Sequence, residues 1–263
     1  MKKVFATLSL ITLFSIISCS NHKDEHAVKK DRQSHWTYKG ETSPEHWAEI
    51  EKNSDCNGKR QSPVNIIEIN TLPTKQTTNP LNILYSPKTE LNKVENNGHS
   101  IQFNFEKGDS LQYHGDTFHL AQIHFHEPSE HTINGIRYPL EIHLVHVNKN
   151  KEYTVMGVLA QEGQKSQLFE FLESFLPLKE GESKEIHQSL DLSTLFPKNN
   201  EFYSYGGSLT TPPCTENVNW IIFKEPIIVS VEEVIKLKNN MPKDNYRNEQ
   251  PLNNRLVSIN IHE

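Results

Sequence analysis

The residues best placed to do chemistry lie in two short segments, Gln122-Ile123-His124-Phe125-His126 and, fifteen residues on, Glu141-Ile142-His143-Leu144-Val145-His146. Seven of the chain's 14 histidines fall between His114 and His146. In a strand, alternate side chains share a face, so Gln122, His124 and His126 point one way while Ile123 and Phe125 point into packing. The two imidazoles then stand about 7 Å apart at Cα, close enough to reach one ion from the same side. On the second segment Glu141 and His143 share a face. A third imidazole from a neighbouring strand gives three nitrogen ligands and an open fourth position, the pattern of a catalytic zinc site rather than a closed structural one. Copper, cobalt and nickel suit the same donors. Gln122 and Glu141, each two residues before a ligand, are placed to accept hydrogen bonds from the rings. His114, His119, His131 and His146 read as structural, because parity or position takes them off the shared face.

These segments need strands to hold them. Ser100 to Phe105, Phe118 to His126, Leu140 to Asn148 and Tyr153 to Ala160 are rich in β-branched and aromatic residues. Turn signals such as Asn97-Gly98, Lys107-Gly108-Asp109 and Asn134-Gly135 separate them. Two surface helices are predicted, Gln167 to Leu176 from its apolar stripe, and Val231 to Lys238, opened by Ser230 with Glu233 as a capping box. There is no repeat at a fixed period and no composition break after Ser34, so one domain is expected over residues 35–263.

Composition limits the partners. With 27 Lys plus Arg against 33 Asp plus Glu the net charge is −6, which offers no basic excess for nucleic acid. The N-terminus, Lys2-Lys3 followed by an uncharged, mostly apolar run to Ser18, reads as a signal peptide over residues 1–18, too short to span a bilayer. It ends Ile16-Ile17-Ser18-Cys19, similar to a bacterial lipobox, which would lipidate Cys19 and tether the protein to a membrane. An ordinary cleaved signal is the alternative. Removing those 18 residues would take away two lysines and no acid, moving the charge from −6 to −8. Residues 19–34 read as a solvated, flexible tether. Either way the protein is expected to be exported, as a periplasmic protein or as a lipoprotein on the extracytoplasmic side. In an oxidising compartment Cys56 and Cys214 would form one disulfide, with two free thiols as the other reading.

The segments taken together resemble the signatures of the alpha-class carbonic anhydrases, in bacterial, exported form. The resemblance rests on Gln122-x-His124-x-His126, Ser129-Glu130-His131-Thr132, Glu141-x-His143-Leu144-Val145-His146, Gln61-Ser62-Pro63-Val64-Asn65-Ile66 and Gly207-Ser208-Leu209-Thr210-Thr211-Pro212-Pro213-Cys214. It runs from about Trp36 to Ile261. The fold it implies is mainly β with peripheral helices, a single domain around a central, largely antiparallel ten-stranded twisted sheet.

What the resemblance implies for function follows residue by residue. His124, His126 and His143 would hold one zinc ion per chain, whose hydroxide attacks carbon dioxide to give bicarbonate. Thr210 would orient that hydroxide and donate its own proton to Glu130, and His99 would shuttle protons to solvent. Val145, Val155, Leu209, Val218 and Trp220 would form the apolar substrate wall, and Tyr38, Asn97 and Gln102 would join His99 on the wet wall. Gln102 stands where several family members have Asn, and Glu127 departs from the animal members but resembles the bacterial ones; neither is a ligand. Two other readings are a recognition module on the same fold, which the full ligand set disfavours, and a zinc esterase. The apolar pocket has no charged anchor, so an ester activity is expected only on the side. The sequence leaves a homodimer open.

Overall fold

The alternation that marks strands in the sequence appears in the structure as alternating burial. The structure, a computed structural model, describes residues 36–74 and 81–261. The signal peptide, Cys19 and the tether lie outside the described residues. Six strands carry the site: β1 (Ile101–Phe105), β2 (Asp116–His126), β3 (Leu140–Val147), β4 (Tyr153–Glu162), β5 (Phe202–Ser208) and β6 (Glu216–Phe223). β1 shows the rule plainly, burying Ile101, Phe103 and Phe105 while Gln102 and Asn104 stay half-buried on the other face.

Ten strands lie on one continuous path. Its order is Ser183–Leu190, Thr89–Asn96, β1, β2, β3, β4, β6, β5, Ser258–Asn260 and Leu72–Thr74. These ten are the expected central sheet, and three further strands, Leu81–Leu84, Ser110–Tyr113 and Ile227–Val229, attach to it, making thirteen among the described residues. Most pairs are antiparallel, but β4 pairs in parallel with β6 and with Ile227–Val229, and Ser258–Asn260 pairs in parallel with Leu72–Thr74. The chain between β4 and β6 is long enough for the crossover that a parallel pair demands. A second, three-stranded sheet joins Asn65–Ile66, Thr132–Ile133 and Ile136–Arg137.

Both predicted helices form. Val231–Lys238 has the expected capping box: Ser230 Oγ accepts from Glu233 N and Glu233 Oε2 accepts from Ser230 N at 2.7 Å. The other helix spans Gln167–Glu173 and stops three residues short of the predicted Leu176. Leu176 precedes Pro177, and a residue before proline is driven out of the helical region. Leu168, Phe169 and Leu172 still bury into the main core, where Ile123, Phe125, Ile142 and Leu144 line one face of the sheet. Full burial of side chains of this size is worth about 1.5–3 kcal/mol each. The opposite face carries a second cluster built on Val145, Val155, Val218 and Trp220.

Between β2 and β3 the register slips by one residue. Val145 faces Gln122 but His146 faces Leu120, leaving Ala121 as a bulge. Simple alternation from His126 therefore fails below Gln122. Leu120 and Phe118 continue the core side of Ile123 and Phe125, and His119 comes round to the face of Gln122 and His124, against the parity expected from the sequence.

Candidate metal centre and active site

Register brings the three predicted ligands together. Across the β2–β3 ladder His143 faces His124 and Glu141 faces His126. Ring centroids are 5.0 Å apart for His124 and His126, 5.1 Å for His124 and His143, and 4.6 Å for His126 and His143. One ring nitrogen from each lies within 4.8 Å of the other two.

Each ring has its second nitrogen tied to an acceptor. His124 Nδ1 donates to Gln122 Oε1 at 2.9 Å, His126 Nδ1 to the Asn245 carbonyl at 2.6 Å, and His143 Nε2 to Glu141 Oε1 at 2.8 Å. These bonds fix the tautomers, so Nε2, Nε2 and Nδ1 respectively keep a lone pair for an ion. His126 Nε2 is buried and has no hydrogen-bond partner, an arrangement that costs free energy unless something else takes the lone pair. Burial, reinforced by the neighbouring imidazoles, holds His124 well below the usual histidine range, and burial takes His126 down to about 4. Neutral imidazoles are the form that binds metal. The donor set fits a zinc ion.

Glu141 holds more than one ring. Oε1 accepts from His143 and from His131 Nδ1 at 2.7 Å, and Oε2 accepts the backbone N–H of Glu130 and of His131, both at 2.8 Å. Burial alone would raise its pKa, but His131 and His143, by their charge interaction and by the bonds they donate, outweigh it and keep the carboxyl well below the usual range. His131, Glu141 and His143 also form a compact donor group, but the ring nitrogens that face Glu141 are already hydrogen-bonded to it.

Glu130 is fully buried, and burial pushes its carboxyl up to about 7, with His143 and Thr210 drawing it down. Oε1 accepts the Arg247 N–H at 2.8 Å. Oε2 lies 3.5 Å from His126 Nε2 and makes no hydrogen bond of ordinary geometry. Thr210, 4% exposed, stands in the loop that follows β5. The disulfide Cys56–Cys214 closes that loop, as expected, onto the segment after the short helix Trp47–Ile50.

The five residues of the predicted apolar wall do cluster. Val145, Val155, Val218 and Trp220 are buried together, and half-buried Leu209 packs on them. Trp220 donates its indole N–H to the Ser208 carbonyl at 2.8 Å and sets its ring 4.9 Å from that of His143. Directly opposite His143 on β4 is Gly157, where a Cβ would come within 2.6 Å of Ile222 Cδ1 and 3.0 Å of Glu141 Oε1. A side chain there would press on that carboxylate and displace the Ile222 methyl.

The wet-wall residues occupy one turn and its surroundings. Asn97 Oδ1 accepts the backbone N–H of His99 and Ser100, each at 2.9 Å, and so shapes the turn that presents His99. The His99 ring stacks on Trp36 with centroids 3.5 Å apart, and Tyr38 meets it edge-on at 6.3 Å. Gln102 donates to Asn104 at 2.7 Å and to Glu95 at 3.2 Å. Its amide is therefore committed to neighbours on the sheet.

Of the histidines read as structural, His146 is buried, donates from Nδ1 to the Leu144 carbonyl and accepts from the Tyr85 hydroxyl at 2.6 Å. His114 sits in a turn at φ 49°. His131 is closer to the chemistry than predicted, since it links Glu141 to the Tyr205 hydroxyl, 2.7 Å from its Nε2. Asn245, Arg247 and Tyr205 were not singled out at all. Asn245 and Arg247 lie in a stretch without periodicity that contacts the site only through tertiary structure, and Tyr205 looks like any strand aromatic.

The family model described as eukaryotic-type carbonic anhydrase matches residues 42–261. A carbonic anhydrase of Neisseria gonorrhoeae is 38% identical over 254 residues, covering 95% of this chain and 97% of the relative. One from Klebsiella pneumoniae is 36% identical, covering 85% of this chain and 90% of the relative. The alpha-carbonic anhydrase of Thermovibrio ammonificans, solved with the inhibitor sulfanilamide, superposes with a TM-score of 0.80 at 39% identity, covering 85% of this chain and 98% of that one. The Photobacterium profundum alpha-carbonic anhydrase gives a TM-score of 0.76 at 36% identity, covering 85% and 99%.

Proposed function

The chain belongs to the alpha, or eukaryotic-type, carbonic anhydrases, and from that premise we propose that it hydrates carbon dioxide reversibly at a zinc ion held by His124, His126 and His143. The observation that carries this reading is the orphaned Nε2 of buried His126, facing two imidazoles whose other nitrogens are already hydrogen-bonded. Bound there, zinc supplies the Lewis acidity that makes water a nucleophile.

The chain's own residues do the remaining work. Arg247 N–H occupies Glu130 Oε1, which leaves Oε2 as the acceptor for the Thr210 hydroxyl. Having donated to Glu130, that hydroxyl can only accept from the nucleophile, and so turns a lone pair toward the substrate. Val145, Val155, Leu209, Val218 and Trp220 offer carbon dioxide, which has no charge or dipole, a surface from which water is excluded. His99 accepts the proton that must leave and releases it to solvent, a task suited to an imidazole near neutral pH. Ester cleavage is a side reaction in this reading, because the wall has no charged group to anchor a larger substrate.

Export belongs to the same proposal, with lipidated Cys19 as the tether, and Cys19→Ser should release a soluble form from the membrane fraction. The decisive experiment on the site combines elemental analysis with stopped-flow hydration of carbon dioxide. One zinc per chain and fast hydration are expected, with both lost in His124→Ala. Full zinc occupancy in that variant would overturn the ligand assignment.

A further inference from the structure

Asn245 is fully buried in a segment with no regular secondary structure, and its carbonyl and both side-chain polar atoms are used. Its carbonyl accepts from His126 Nδ1 at 2.6 Å. Its side chain does something separate: Oδ1 accepts the Glu127 N–H at 2.8 Å, while Nδ2 donates to the Phe125 carbonyl and to the His99 carbonyl, both at 2.9 Å. One carboxamide thus joins the strand carrying His124 and His126 to the turn carrying His99. Ser100 strengthens the joint, since its hydroxyl donates to the Phe125 carbonyl at 2.7 Å and accepts the Phe125 N–H at 3.1 Å.

We propose that the Asn245 side chain is a positioning residue for proton transfer, fixing the His99 turn at a set offset from the metal ligands. The proposal rests on the relay role given to His99 above. A relay through water is steeply sensitive to the distance and angle its ends must span, so an anchor between the two ends is worth more than its place in the core suggests. Among the described residues, Asn97 shapes the turn itself and reaches Gln102 at 3.3 Å, Trp36 stacks on the His99 ring, and Ser100 is the neighbour that also bonds the ligand strand. The Asn245 carboxamide ties the His99 carbonyl itself to the element that holds His126. A main-chain carbonyl survives any side-chain substitution, so the His126 bond and the anchor can be separated experimentally.

In the zinc-loaded enzyme, Asn245→Ala should lower the maximal hydration rate in dilute buffer about tenfold while the second-order constant falls less than about threefold, and added imidazole should restore the rate. In the His99→Ala background Asn245→Ala should cause no further loss in dilute buffer. Independently of turnover, amide hydrogen exchange at residues 98–100 of the zinc-free protein should quicken. Asn245→Ser, a milder change with the same expected pattern at smaller size, serves if Asn245→Ala does not fold. A parallel fall of both kinetic constants without imidazole rescue, or additive losses in the double variant, would overturn the proposal. If His99→Ala lowers the dilute-buffer rate and Asn245→Ala does not, the proposal alone falls. If His99→Ala leaves that rate intact, the relay reading fails and the proposal falls with it.

Discussion

Glu141→Gln is nearly isosteric, so its effect should come from hydrogen-bond polarity rather than packing. The carboxylate receives four N–H donors, two ring nitrogens on Oε1 and two backbone amides on Oε2. An amide has one oxygen and one NH2, so one pair must lose its acceptor. If NH2 faces the backbone amides of Glu130 and His131, two buried donors go unsatisfied at about 1–3 kcal/mol each, a loss of roughly 2–6 kcal/mol in the metal-free protein. If NH2 faces the rings instead, His143 can restore the bond only by moving its proton to Nδ1, the nitrogen that must keep a lone pair for the ion. Either orientation should weaken zinc binding by about 10–100-fold, the range for loss of a partner behind a ligand. Chelator competition measures the affinity, and imidazole nitrogen shifts in the metal-free protein report the His143 tautomer. Affinity within twofold of the parent, with His143 still protonated at Nε2, would refute the argument.

Three other perturbations have defined outcomes. Thr210→Ala should keep its zinc and lose turnover by a factor on the order of ten to a thousand; unchanged turnover would leave Thr210 as a turn residue. Opening the disulfide, which spans 158 residues, should cost roughly 5 kcal/mol in the chain-entropy account, seen as a lower melting temperature under reductant and in Cys56→Ser with Cys214→Ser, and equal melting in both states would contradict it. Glu173, on the helix Gln167–Glu173 and 5% exposed, is pushed by burial from 4.5 up to about 7, with Lys236 at 3.5 Å opposing the rise. The native carboxyl then holds a proton that the unfolded chain has lost, so this contribution is complete below about pH 4.5 and disappears as pH rises through about 7. Glu173→Gln should flatten that decline and melt higher than the parent at pH 8, and a variant that melts lower at pH 8 would show the site has been misread.

The meeting of His124, His126 and His143 was legible because a strand's twofold period converts His124-x-His126 into shared geometry without any knowledge of the fold. The same rule misplaced His119, since it has no means of registering a bulge at Ala121. Capping of Val231–Lys238 was readable from Ser230 and Glu233, which interact three residues apart. The parallel pairing of β4 with β6 was not, because strand order depends on the whole chain's path. Asn245 and Arg247 were invisible for a related reason. Their polar atoms act on residues more than a hundred positions away, and no local pattern records such a bond.

The segment around Asn245 and Arg247 also bears on how the centre comes into being. His126 donates to a carbonyl 119 positions later, Glu130 accepts from an N–H 117 positions later, and the Arg247 guanidinium donates to the Cys56 carbonyl across 191 positions. Contacts of such span form late, because the entropy of closing large loops must be overcome before they contribute. During synthesis, a chain that has already emerged past His143 holds all three ligands yet lacks the carbonyl that sets the His126 tautomer. An ion captured by that unfinished chain would meet mobile imidazoles and dissociate readily, whereas one arriving after the C-terminal stretch has docked would find the rings already oriented. Loading should accordingly follow folding rather than drive it, and the metal-free protein should reach its native sheet unaided.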